Sequence, residues 1–152
     1  VQSTGAGAVT LLGAGSTTAS GVFNSGVYSS YGTVQANSGD LSITGNGGTG
    51  SSYNIGVRLI GGSYLSTSGS LDIDGSANAG TTGTRNYGVW IMNAQVGGGA
   101  GSSVSGTGGG GTGLNHGVYA NGITGVLAPG EVTGSITDGN ANSEETYGNF
   151  FP

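Results

Sequence analysis

The sequence predicts an all-β fold: a parallel β-solenoid of about five coils, each of roughly 30 residues and three short strands. Three observations predict it. A Gly-Val pair recurs as "GVYSS" at 26, "GVRLI" at 56, "GVWIM" at 88 and "GVYAN" at 117, with a degenerate "GNFFP" at 148. The spacings are 30, 32, 29 and 31 residues, the period of a solenoid coil. Each interval also contains short segments of alternating apolar and polar residues, and no 11-residue window carries an unbroken helical spacing. A β-sandwich would accept such strands but need not repeat in sequence, and a polyproline-II glycine bundle needs Gly at every third position.

The elements follow in order. Residues 1–25 form a partial coil, because "VQSTGAGAVTLLGAG" parallels "VQANSGDLSITGNGG" from residue 34. Full coils start near 26, 56, 88 and 117, and 148–152 begin a coil that the chain does not complete. All of 1–152 is therefore read as one domain. The GV strand opens each coil. A second segment starts on an apolar residue, in "VQAN" at 34, "LSTS" at 65, "VGGG" at 96 and "VLAP" at 126. The third alternates, in "LSIT" at 41, "LDID" at 71, "SVSG" at 103 and "EVTGSI" at 131. Strands this short cannot bury an apolar face alone; stacked on their copies they share one narrow core. Glycine at the corners is expected to supply backbone angles that other residues resist.

Stacking turns equivalent positions into columns. Val27, Val57, Val89 and Val118 point inward, as do Ser29, Leu59, Ile91 and Ala120. Tyr28, Arg58, Trp90 and Tyr119 point outward, an aromatic stripe interrupted by one arginine that lies flat on its neighbours. Asn24, Asn54, Asn86 and Asn115 stand two residues before the repeated Gly, with Thr146 in the fifth place. They are read as a structural ladder whose side chains bond to one another and to the corner backbone. The only histidine, His116, shares a column with Ser25, Ile55, Tyr87 and Tyr147. It is read as part of that pattern, since a metal site wants several converging ligands.

Composition sets the limits on function. Lys and Arg number 2 against 7 acids, a net charge of −5, which is too few cations for nucleic acid. The same shortage disfavours a polybasic membrane site, and no apolar run approaches a membrane span. There is no cysteine and hence neither disulfide nor thiolate site, which suits an extracellular protein. Asp72 and Asp74 in "LDIDGSAN" share a strand face and form a weak Ca²⁺ candidate, but their spacing fits no standard calcium loop. The chain is not expected to be an enzyme or to need a cofactor. "GTGGGGTG" at 106 lacks the Lys and following helix of a phosphate-binding loop and reads as a corner.

The motif "ITGNGGTGSSYNIGVRLIGG", repeated in outline as "IDGSANAGTTGTRNYGVWIMNA" and "VSGTGGGGTGLNHGVYANG", resembles the Gly-rich repeats of giant secreted bacterial surface proteins. These are of the filamentous haemagglutinin and autotransporter-like kind. The resemblance implies a right-handed β-helix at the bacterial cell surface, serving adhesion, matrix or filament architecture. The leading expectation is a structural subunit or segment of an extracellular filament. It would stack end to end on itself, or on further repeats of a longer chain, through ends marked by Val1, Phe150 and Phe151. A surface adhesin holding glycans on the aromatic stripe is the alternative. Ice binding is a third, and the positions Thr44, Asp74 and Ser105 do not supply the regular threonine columns it needs.

Overall fold

A computed structural model of the chain describes residues 1–124 and the backbone of 132–135. It contains β1 (Gln2–Ser3), β2 (Val9–Ala14), β3 (Val27–Ser30), β4 (Thr33–Ala36), β5 (Leu41–Asn46), β6 (Val57–Ile60) and β7 (Ser63–Ser66). There follow β8 (Leu71–Ser76), β9 (Val89–Met92), β10 (Gln95–Gly97), β11 (Ser103–Thr107), β12 (Val118–Asn121) and β13 (Val132–Ser135). Successive strands do not pair with each other. Each pairs in parallel with its counterpart one coil away, so that three sheets run along a common axis. Sheet I is β3-β6-β9-β12, sheet II is β1-β4-β7-β10 and sheet III is β2-β5-β8-β11-β13. This is a β-solenoid of about four turns with three strands in each. The first strands stack on the next coil, with Gln2 opposite Gln35 and, one residue off the register of the sequence alignment, Val9 opposite Leu41.

The valines form a single file. Val27, Val57, Val89 and Val118 are register partners in sheet I, and so are Ser29, Leu59, Ile91 and Ala120. Leu41 with Leu71, and Ile43 with Ile73 and Val104, fill the same interior from sheet III. Their side chains are fully buried, each contributing about 1.5–3 kcal/mol relative to exposure. Val27 and Leu11 are only half-buried, because no described coil lies beyond them.

One expectation needs correction. In sheet II the inward residue opposite Val34 and Val96 is Tyr64, not Leu65. Tyr64 is fully buried and its hydroxyl donates to Ser29 Oγ at 2.9 Å, so a phenol fits the interior once its oxygen has a partner. Burial raises its pKa above the ordinary tyrosine value, an effect that the Ser29 bond opposes.

Corner glycines do take left-handed angles, at Gly61 (φ 61°), Gly62 (80°) and Gly122 (66°), whereas the glycine of the GV pair has no left-handed φ at 26, 56, 88 or 117. It is required by contact. A methyl on Gly56 would lie 2.3 Å from Ser76 N and 2.6 Å from the carbonyl oxygens of Gly45 and Gly88. Facing it is a second glycine column, Gly13, Gly45, Gly75 and Gly106, where a methyl would come within 2.0–2.2 Å of the opposite carbonyl. There the ends of the sheet III strands meet the starts of the sheet I strands, backbone against backbone.

Candidate functional site

The long connection from sheet III back to sheet I ends on the asparagine column, and this is where the outer surface becomes chemically distinctive. Asn54, Asn86 and Asn115 are fully buried. Asn86 Oδ1 accepts from the backbone N of Asn54 at 3.0 Å and from Asn54 Nδ2 at 3.1 Å. Asn54 Oδ1 accepts in the same way from Asn24, and Asn115 Oδ1 accepts from Asn86 N at 2.9 Å. The amide groups also donate sideways to loop carbonyls: Asn24 to Thr49, Asn86 to Ser51 and Asn115 to Gly110. The column is a ladder that satisfies backbone groups which the corner would leave unpaired. Thr146 lies outside the described residues.

Directly before each asparagine stands a large residue in the left-handed conformation: Phe23 (φ 64°), Tyr53 (58°), Arg85 (60°) and Leu114 (52°). Such angles cost a non-glycine residue about 1–2 kcal/mol. Stacking outside the corner offsets that cost. The Phe23 and Tyr53 rings lie 4.8 Å apart at 21°, and the Arg85 guanidinium sits 5.4 Å over Tyr53. Arg85 Nη1 also donates to the Tyr53 hydroxyl, and that bond holds the guanidinium above its ordinary pKa.

The outward stripe of sheet I runs beside this file. Arg58 is sandwiched between Tyr28 at 4.9 Å and Trp90 at 4.7 Å, with Phe23 at 5.5 Å. Contacts of this kind contribute about 0.5–2 kcal/mol, more as water is excluded. Arg58 Nε and Trp90 Nε1 are buried with no hydrogen-bond partner among the described residues. Trp90 meets Tyr119 edge-on at 6.4 Å.

Between the two files lie Ser25, Ile55, Tyr87 and His116. Tyr87 stacks on His116 at 5.4 Å and on Tyr119 at 5.4 Å, and meets Trp90 edge-on. His116 is buried and also stacks on Tyr119 at 6.0 Å. Its ring packs in an aromatic cluster outside the solenoid core. Burial pushes the Tyr87 phenol up to about 12, with the nearby Arg85 opposing the shift.

Together these side chains enclose a shallow cleft of about 290 Å³. Tyr87, the one buried residue of its lining, is the floor, and Tyr53, Arg85, Trp90, Met92 and Tyr119 surround it, with the Tyr53 and Trp90 rings 6.2 Å apart. Of these, only Trp90 and Tyr119 belonged to the predicted stripe. Of the missed residues, Tyr53 and Arg85 belong to a recurrence of bulky side chains directly before the column asparagines, in "FN", "YN", "RN" and "LN", which does not by itself say where those side chains point.

The acids lie elsewhere. Asp72 and Asp74 point outward from β8 in sheet III, where they accept hydrogen bonds from Ser103 Oγ and, at 2.6 Å, from Ser105 Oγ. Among the described residues no third metal-binding side chain joins them. Asp40, at the corner before β5, accepts from Ser70 N and Oγ, both at 2.9 Å, which lowers its pKa. Charge is thus segregated, with described carboxylates along sheet III and both arginines on the aromatic face.

Of the expected assembly residues, Val1 is exposed, its ammonium donating to the Thr33 carbonyl at 2.8 Å; Phe150 and Phe151 lie outside the described residues. The described residues include no helix long and apolar enough to cross a membrane. Comparison of the chain with known protein families, curated proteins and solved structures finds no match.

Proposed function

We propose that this chain is a rigid solenoid segment of a bacterial extracellular fibre, extended by the stacking of one coil on the next. The observation that carries this reading is the in-register stacking of coil on coil in three parallel sheets, whose end strands among the described residues include β1, β2 and β3. Among the described residues, exposed large apolar side chains gather there: Val1, Leu12, Val22, Phe23, Tyr28 and Tyr31 all belong to that end, and Leu114 alone lies away from it. A strand edge with unpaired N–H and C=O groups and apolar side chains is a template for another strand. A neighbouring copy, or further repeats of a longer chain, would cover it. The extracellular setting rests on the resemblance of the repeats to secreted surface proteins. The role is non-enzymatic, one of stiffness and length.

The backbone supplies a selective test. Val9 and Gly15 donate to sheet neighbours in or beside β5, and Val27 and Tyr31 to residues in or beside β6. The intervening Thr10 and Ser30 therefore turn their N–H groups to the open edge. Replacing both by proline removes edge donors while keeping the internal ladder. The chain should show concentration-dependent association by sedimentation velocity and fibres by electron microscopy. The Thr10→Pro, Ser30→Pro variant should stay monomeric with an unchanged circular dichroism spectrum. A wild-type chain that remains monomeric at millimolar concentration would overturn the proposal.

A second reading, a surface adhesin that binds glycans, is favoured by the aromatic cleft. Concave, mostly apolar lining with a few convergent polar groups is the usual form of a small-ligand site.

A further inference from the structure

We infer that the cleft over Tyr87 receives a carboxylate-bearing sugar residue of an acidic polysaccharide, with Arg85 pairing to the carboxylate. The inference rests on the adhesin reading and names its substrate class. The first argument is electrostatic. The chain has a net charge of −5, yet both of its arginines lie on this one face. Arg85 is exposed, it hydrogen-bonds to the Tyr53 hydroxyl and also interacts with the Tyr87 phenol, and among the described residues no carboxylate pairs with it. A guanidinium carries five N–H donors in a planar fork matched to a carboxylate, so most of them remain for a ligand.

The second argument is shape. A pyranose has flat C–H faces and a polar rim. The Trp90, Tyr119 and Met92 side chains offer it apolar surface, and the Tyr53 hydroxyl and Arg85 add polar groups to the same lining.

The third is that the arrangement occurs once along the described coils. One coil earlier the floor position holds Ile55, fully buried, and the flanking position holds Tyr53. One coil later they hold His116 and Leu114. A column built only for stacking has no need of a charge at 85, where its other members are Phe23, Tyr53 and Leu114.

A second copy of the chain is the competing occupant, through Asp72 and Asp74. The charge would match. Those carboxylates, however, lie on a regular sheet face and already accept serine hydroxyls. A flat strand face cannot enter a cleft.

The test is calorimetric titration of the folded chain with trigalacturonate and with neutral galactotriose in 50 mM salt. Trigalacturonate should bind about 10-fold tighter or better, and the margin should shrink in 300 mM salt. Arg85→Gln should abolish the margin. Tyr87→Ile, which installs the residue found one coil earlier, should weaken both sugars; the melting temperature of each variant checks that it remains folded. Equal binding of the two sugars would overturn the inference and leave the adhesin reading standing, whereas binding of neither would remove both. Undiminished selectivity in Arg85→Gln would place the carboxylate elsewhere and refute the assignment. Self-association that Arg85→Gln abolishes, with no sugar bound, would give the cleft to a second copy.

Discussion

Asn86 is the place where a single change should test the ladder most severely. Replacing it by Leu removes the oxygen that accepts from Asn54 N and Nδ2, at 3.0 and 3.1 Å, and the amide that donates to Ser51 O at 3.0 Å. Both Asn54 donors are left in a site without solvent access. An unsatisfied buried polar group costs about 1–3 kcal/mol, and groups on one residue do not add in full, so the loss should be about 3–5 kcal/mol. For a chain of this length that corresponds to a fall in melting temperature of about 6–20 °C. The control lies in the same ladder. Asn24 is only half-buried, and its side-chain oxygen accepts no bond among the described residues. Asn24→Leu therefore strands no donor and should cost about 1 kcal/mol. Thermal melts followed by circular dichroism compare the two. Equal shifts, or a shift below about 3 °C for Asn86→Leu, would refute the claim that the column holds the corner together.

The facing glycine columns yield a sharper contrast. Gly88→Ala places a methyl 2.3 Å from Thr107 N and 2.6 Å from Gly117 O, backbone atoms held by two sheets, and should lower the melting temperature by at least about 6 °C, as roughly 3 kcal/mol or more would. Gly21→Ala meets nothing within 4 Å and should be neutral or slightly stabilising, so similar melts for the two variants would contradict the packing. The buried phenols predict alkaline sensitivity. A folded-state pKa raised from 10.0 to about 12 for Tyr87 means stability that is complete below pH 10 and lost as pH rises towards 12. Tyr87→Phe should flatten stability over that window, as read by denaturant melts at stepped pH, and an unaltered slope would count against burial as the cause.

Much of the coil was legible because a solenoid writes its geometry into sequence period. Val27, Val57, Val89 and Val118 recur at the coil length, and register needs nothing more. The second strand was less legible. Tyr64 and Leu65 are adjacent and both apolar enough for the interior, and choosing between them needs the Ser29 hydroxyl, which lies 35 residues away. The second glycine column escaped notice because the loop joining it to the GV glycine is two residues shorter in the second and fourth repeats than in the first and third. The cleft was harder still. Phe, Tyr, Arg and Leu do not announce a left-handed backbone, so residues 23, 53, 85 and 114 gave no sign of turning outward together.

Every rung of the asparagine column hands its hydrogen bonds in one sense: the earlier coil donates and the later coil accepts. The molecule is therefore a vector. Two copies meeting head to head would set one Asn24 carbonyl oxygen against another, a repulsion that head-to-tail contact avoids. Any fibre assembled from such units has chemically unlike tips, and monomers should join the two at different rates.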